Sequence, residues 1–205
     1  MKGIFKKIFN LSSDEQKSPG AERLSQKSKH LDREPESPEL EFAKNFTASG
    51  GKFIYCENVD DALENIGHIA AETGLNALYC PNSNLRTLSE KIGIFSYRDS
   101  GATADLFFSD CEYLVSYNGG VMVDAIQTHG NKLHELPEVF IILAYSDQLV
   151  RRLNEALAGI RSRYSGGEMP SQITTIHGPL KSGLDDPAAQ RTSKDIYLLY
   201  VDRNV

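Results

Sequence analysis

Cysteine is scarce in this 205-residue chain: Cys56, Cys80 and Cys111 are widely spaced, each inside an apolar stretch. No Cys-x-x-Cys pair exists, which excludes a zinc knuckle or an iron–sulfur cluster built from this chain alone. The three read instead as buried thiols, packing as small hydrophobes. Long apolar runs are also missing, and none approaches the roughly 20 residues that span a bilayer. Positive charge is in deficit, with 22 Lys and Arg against 28 Asp and Glu and a formal net charge of −6. That balance argues against nucleic-acid binding, whose affinity comes from neutralising phosphates. The opening MKGIFKKIFN is basic but has no continuous apolar core, so it does not read as a secretory signal. A cytoplasmic protein is expected.

What is present suits an ordinary globular chain, with 40% hydrophobic and 24% charged residues. A domain near this size buries roughly 70% of its unfolded surface and needs neither disulfides nor a structural metal. Residues 1–36 differ from the rest. After the head they are rich in Ser, Lys and Glu with almost no bulky apolar side chains, which predicts a flexible tail. Within the head (residues 2–11), Ile4, Phe5, Ile8 and Phe9 fall at helical spacing with Lys2, Lys6 and Lys7 between them. Three turns and three lysines are little for a membrane surface, so docking on protein is the stronger reading.

From Ser37 to the end the pattern predicts one α/β domain. Ser37-Pro38-Glu39 opens a helix with Leu40, Phe42, Ala43 and Phe46 on its apolar face, closed by Gly50-Gly51. A strand follows over Lys52 to Cys56. Asn58 caps a second helix whose Val59, Ala62, Leu63, Ile66, Ile69 and Ala70 repeat until Gly74 stops it. Another strand (Ala77 to Cys80) and a short helix (Asn84 to Ile92) complete an order typical of βαβ units and a parallel sheet. Glu112 to Tyr117 and Val121 to Ala125 read as a hairpin around Asn118-Gly119-Gly120, since Asn-Gly tolerates positive φ. VFIILAY (Val139 to Tyr145) is an unbroken apolar run, the mark of a strand covered on both faces. Ser146 or Asp147 would then cap a helix carrying Leu149, Val150, Leu153, Ala156, Leu157 and Ile160 on one face. Ile173 to Ile176 and Ile196 to Val201 supply the last strands. The expected architecture is a three-layer α/β/α, Rossmann-like domain with a mostly parallel sheet.

Three loops carry candidate ligand-binding residues. At Asn118, Gly119 and Gly120 the missing side chains would let a ligand approach the backbone, although a plain hairpin turn has the same sequence. The run Gln127 to Glu135 holds a cation, two imidazoles, two amides and a carboxylate, which together could hold an anionic ligand. His129, His134 and Glu135 do not share a face of any helix or strand, so a metal is not expected there. In the third loop Gly178 and Pro179 precede Lys181, Ser182 and Asp185, which suit an anion and a hydrogen-bond donor. It follows a strand, so in an open parallel sheet this loop would lie at the carboxyl end, where ligands usually bind. Its Lys-Ser-Gly order is not that of a P-loop. Asp110 with Glu112, or Asp185 with Asp186, are further acid/base candidates, with solvated carboxylates the plainer reading.

The ordered set LVSYNGGVMV, LPEVFIILAYSDQLVRRLNEALAGI and PSQITTIHGP resembles the LUD-domain proteins related to lactate utilization protein C. The likeness is best from Tyr113 to Gly178 and weaker over Phe46 and Gly50-Gly51-Lys52. Tyr117 and Asn118 stand where the family usually has Glu and Thr, while Gly119 keeps its glycine. Asn131 replaces a common Arg, with Lys132 beside it as a substitute cation that lacks the bidentate fork. Gly178-Pro179 match, Leu180 replaces a Ser, and Pro187 to Lys194 stand in place of a later Gly-His-Gly-Pro-like segment. The chain is therefore similar to a divergent member.

The resemblance implies a fold similar to that of the sugar isomerases and CoA transferases. It also implies a non-redox part in a lactate oxidation system beside iron–sulfur partner proteins, which would carry the electrons, with no cofactor in this chain. Two other functions stay open: a small-molecule enzyme or binding protein for an acyl or phosphorylated metabolite, and a non-catalytic interaction module. Fold likeness alone does not choose between them.

Overall fold

The computed structural model describes residues 36–74, 77–97, 104–179 and 194–203. The tail and amphipathic head expected before residue 36, together with Lys181, Ser182, Asp185 and Asp186, lie outside the described residues. Among the described residues, no helix is long and apolar enough to cross a membrane.

Local signals start most elements. The Ser37 hydroxyl accepts from the Leu40 N–H (3.3 Å) and opens α1 (Pro38–Ala48), with Pro38 where no N–H partner is needed. Phe42 and Phe46 are fully buried, but Leu40 is 48% exposed. At about 100° per residue it lies on the far side of the helix from Phe42, which the simple spacing count overlooked. After β1 (Lys52–Cys56), Asn58 accepts from the Asp61 N–H (2.9 Å) to begin α2 (Val59–Thr73). Gly74 ends that helix at φ 69°, a left-handed conformation that glycine adopts without strain. Then come β2 (Ala77–Tyr79), α3 (Ser83–Lys91) capped by Asn82, and two short strands that the pattern did not signal, β3 (Phe95–Tyr97) and β4 (Leu106–Asp110).

The central sheet is wholly parallel, in the order β1-β10-β7-β4-β2-β3, with β7 (Val139–Tyr145) and β10 (Asp195–Val201) inside it. In register, Phe107 meets Phe140 and Phe140 meets Ile196, so alternate residues form continuous rows on each face. One face, through Leu106, Phe108, Ile141, Leu143 and Leu199, packs on α2 and α3. The opposite face, through Phe107, Phe140, Ile142 and Leu198, packs on α1 and on a second, smaller sheet. This is a three-layer, Rossmann-like α/β/α arrangement.

The second sheet is the main departure from expectation. It has the order β8-β5-β6-β9, from β5 (Tyr113–Val115), β6 (Gly120–Val123), β8 (Leu149–Val150) and β9 (Thr174–Ile176). Its outer face, Val115 and Met122, is covered by Ala156 and Ile160 of α4 (Leu153–Arg163). The β5–β6 hairpin turns through four residues, Ser116 to Gly119, because Val115 pairs with Gly120. Ser146 and Asp147 do not cap a helix: residues 146–148 form a 3₁₀ turn, and Leu149 and Val150 pair with Leu114 and Val115 as β8. The helix starts later, with Arg152 at its N-cap, and Leu153 is largely exposed. Strand pairing captured two residues whose spacing alone fitted a helix.

Candidate ligand site

Between β2 and β4 the chain order reverses, since β2 leads outward to β3 while β4 leads back to β7. The crevice beyond the carboxyl ends at such a point is the usual ligand position in open α/β sheets. Asp110 ends β4 there, and the Asn82 side-chain amide, which follows β2, donates to its carboxylate at 3.3 Å. Burial and the nearby Glu112 and Asp124 raise the Asp110 carboxyl above its ordinary value. Glu112 is itself buried, accepting from Gln127 Nε2 (2.9 Å) and from the Arg163 guanidinium (2.6 Å). The reading of Asp110 and Glu112 as solvated carboxylates is thus corrected. The second sheet and α4 form a cover that strand alternation cannot report.

Beside this buried network lies a cleft of about 450 Å³ lined by Thr128, Asn131, Lys132, Leu133, His134, Gln172, Ile173 and Thr174. Two walls form it. The first is the turn from Asp124 to His134, in which the Thr128 hydroxyl donates to the Asp124 carbonyl (3.0 Å). Asn131 Nδ2 there donates to the Tyr79 hydroxyl and to the Thr128 carbonyl, both at 2.9 Å. Lys132 is exposed, and its ammonium pairs with no described carboxylate, while its backbone N–H donates to Glu135 Oε2 (2.8 Å). His134 is exposed beside it. The second wall runs into β9 from Gln172, which takes φ +56°, an uncommon conformation for a residue with a Cβ. Non-glycine residues held in this way concentrate at ligand sites, where the surroundings over-determine them.

Of the expected residues, Asn131 and Lys132 line this cleft, whereas the glycine loops lie elsewhere, together. Gly120 stands beside the His177 imidazole and Thr175, and Asn118 Oδ1 accepts from the Gly120 N–H (3.0 Å). At Gly119, φ +65°, the space a side chain would take is filled by the backbone of Asn45 and Phe46 in α1. Asn45 Nδ2 locks the turn by donating to the Ser116 (2.8 Å) and Tyr117 (3.1 Å) carbonyls. Gly178 lies against the backbone of Gly50 and Gly51, and a Cβ on Gly50 would strike the Pro179 carbonyl oxygen. These glycines let protein backbones meet at close range.

The described start of the third loop, Gly178 and Pro179, does not follow a strand of the parallel sheet. β9 pairs antiparallel with β6 in the small sheet, so Gly178 and Pro179 emerge beside Gly50-Gly51, which precede β1 at its amino end. Burial lowers the pKa of His177. Among the described residues no three His, Cys, Asp or Glu side chains form a group that could hold a metal. The sequence reading missed Asp124, Gln172 and Thr174. Nothing in their local sequence marks them, because their importance comes from packing against a segment some 40 residues away.

A model of the LUD domain matches residues 82–192, more than half of the chain, from the start of α3 through β9. The chain belongs to the LUD-domain family. That family is associated with lactate utilization in general. The chain is also similar in fold to the crystal structure of a DUF162 family protein from Deinococcus radiodurans, with a TM-score of 0.58 and 18% identity. That match covers 82% of this chain and 99% of the other. No curated protein matches the sequence.

Proposed function

We propose that this LUD-domain chain works in the cytoplasm as a non-redox component of a lactate or related organic-acid utilization system. In this reading it binds a small carboxylate in the cleft, and iron–sulfur partner proteins carry the electrons. The observation that carries the reading is the cleft itself, lined by the exposed Lys132, which pairs with no described carboxylate, together with Asn131, Thr128 and His134. Its volume falls within the range of small-molecule sites. Lys132 supplies the charge, the Asn131 amide and the Thr128 hydroxyl, both bonded within the protein, fix the turn that presents it, and the strained Gln172 closes the opposite wall. Three cysteines, all buried, are too few for the four ligands of a cluster, which supports giving electron transfer to partners.

Calorimetric titration with lactate and pyruvate tests the proposal. A charge-assisted hydrogen bond contributes roughly 1.5–3 kcal/mol, so Lys132→Ala is expected to weaken binding roughly 10- to 100-fold. Thermal stability should stay unchanged, because the side chain is exposed. No binding of either acid, or binding unaffected by Lys132→Ala, would sink the carboxylate reading.

A further inference from the structure

Just after β6 comes Asp124, a fully buried carboxyl. Its backbone N–H donates to Gln127 Oε1 (2.9 Å), and its carbonyl accepts from both the N–H and the hydroxyl of Thr128 (3.0 Å each). Its Oδ1 accepts from the Ile126 N–H (2.6 Å). The next residue, Ala125, donates to the Ser171 carbonyl (2.9 Å) and accepts from the Gly130 N–H (2.9 Å). Asp124 therefore anchors the turn that presents Thr128, Asn131 and Lys132, and its neighbour Ala125 ties that turn to Ser171, at the start of the segment that presents Gln172 and Thr174. Its second oxygen, Oδ2, is buried with no hydrogen-bond partner among the described residues.

The charged and titratable groups around it do not repair this. Glu112 and Asp110 are carboxyls of like sign, and Tyr164 is a phenol. Arg163 is the nearby cation, but its guanidinium is engaged by Glu112 and the Tyr113 hydroxyl. A neutral carboxyl buried in this way costs far less than a charged one.

We propose that Asp124 is a proton switch for the cleft: with its proton bound the two walls stay tied, and loss of the proton loosens them. The regulatory meaning rests on the cleft being the ligand site; the coupling between proton and walls does not. Burial first, with Glu112 adding to it, raises the Asp124 carboxyl above the ordinary 3.8, against the hydrogen bonds from Ile126 and Gln127 and the charge of Arg163. Below 3.8 the closed and open turns are both protonated and nothing changes. Above it, the open turn releases its proton first, so the closed turn loses stability as pH rises through the raised value. The cleft is firmest in mild acid.

Amide hydrogen exchange over residues 125–131 of the full chain, without ligand and corrected for intrinsic rates, tests this at about pH 3.5 and about pH 8. Opening is expected to increase several-fold at the higher pH. Asp124→Asn, which keeps the acceptor for Ile126, should abolish the difference, while Asp110→Asn and His134→Ala should retain it. A carbon-13 titration of the Asp124 carboxyl in the unmodified protein should show a raised midpoint, and it stands even if the Asn variant does not fold. Opening that is independent of pH, the same dependence in Asp124→Asn, or a midpoint at the ordinary value would each overturn the switch. Since no ligand is added, failure here is distinct from failure of carboxylate binding.

Discussion

Replacing Arg163 with methionine probes whether the buried network behind the cleft is held by one ion pair. The Glu112 side chain is 4% exposed and that of Arg163 is 48% exposed, with 2.6 Å between them. Removing one partner of a fully buried pair costs about 3–5 kcal/mol, because the other charge is left unpaired in low dielectric. A fully exposed pair contributes only about 0–1 kcal/mol. The half-exposed guanidinium lets water reach the vacated site, and Gln127 still donates to Glu112, so the expected loss is about 2 kcal/mol. Methionine keeps aliphatic cover near the Tyr113 ring, whose centroid lies 5.4 Å from the guanidinium carbon, which confines the change to charge and hydrogen bonding. For a chain of this length the midpoint of thermal unfolding should fall by roughly 4–8 °C. Urea unfolding of Arg163→Met, Glu112→Gln and the double variant isolates the pair. In the Glu112→Gln background the Arg163 change should cost well under 1 kcal/mol. A loss below about 0.5 kcal/mol in the single Arg163 variant would refute the reasoning, because Glu112 would then be satisfied without its partner.

Three further substitutions test the packing. Tyr200 has a buried hydroxyl with no hydrogen-bond partner among the described residues, and its ring centroid lies 5.6 and 6.3 Å from those of Phe53 and Tyr55. Tyr200→Phe should leave stability unchanged or raise it by up to about 1 kcal/mol, and a urea midpoint that drops instead means the hydroxyl is bonded. Gly178→Ala sets a methyl against the backbone of Gly50 and Gly51 and should cost about 1–3 kcal/mol. Gly67→Ala, in the interior of α2 with open space around it, should gain roughly 0.5–1 kcal/mol. Equal effects at the two glycines in thermal unfolding would contradict the close approach at Gly178.

Much of the first half of the fold was legible because its signals are local. Ser37, Asn58 and Gly74 each act on N–H and C=O groups within a few residues, and they bound their helices where the sequence predicts. VFIILAY lies inside the parallel sheet with both faces covered, as an unbroken apolar run requires. The later part was less legible for reasons that particular residues make plain. Leu149 and Val150 have helical spacing with Leu153 and Ala156, yet β5 had a free edge and took them as a strand. Asp110 and Glu112 lie at a strand end, where carboxyls look like surface until α4 and the small sheet pack beside them.

The candidate site divides in the same way. Composition marked the polar run Gln127 to Glu135 as suited to an anion wherever that loop lies, and the family resemblance singled out Asn131 and Lys132 within it. The opposite wall, Gln172 to Thr174, and the tie from Ala125 to Ser171 were set by tertiary structure. The sequence by itself determined the caps, the buried central strand, the α/β class and the family resemblance, all of which depend on neighbouring residues or ordered motifs. Only the tertiary structure decided the second sheet, the glycine contacts and the cleft. Each of these depends on strand pairing or burial between distant segments, whose free energy exists only once the chain has brought them together.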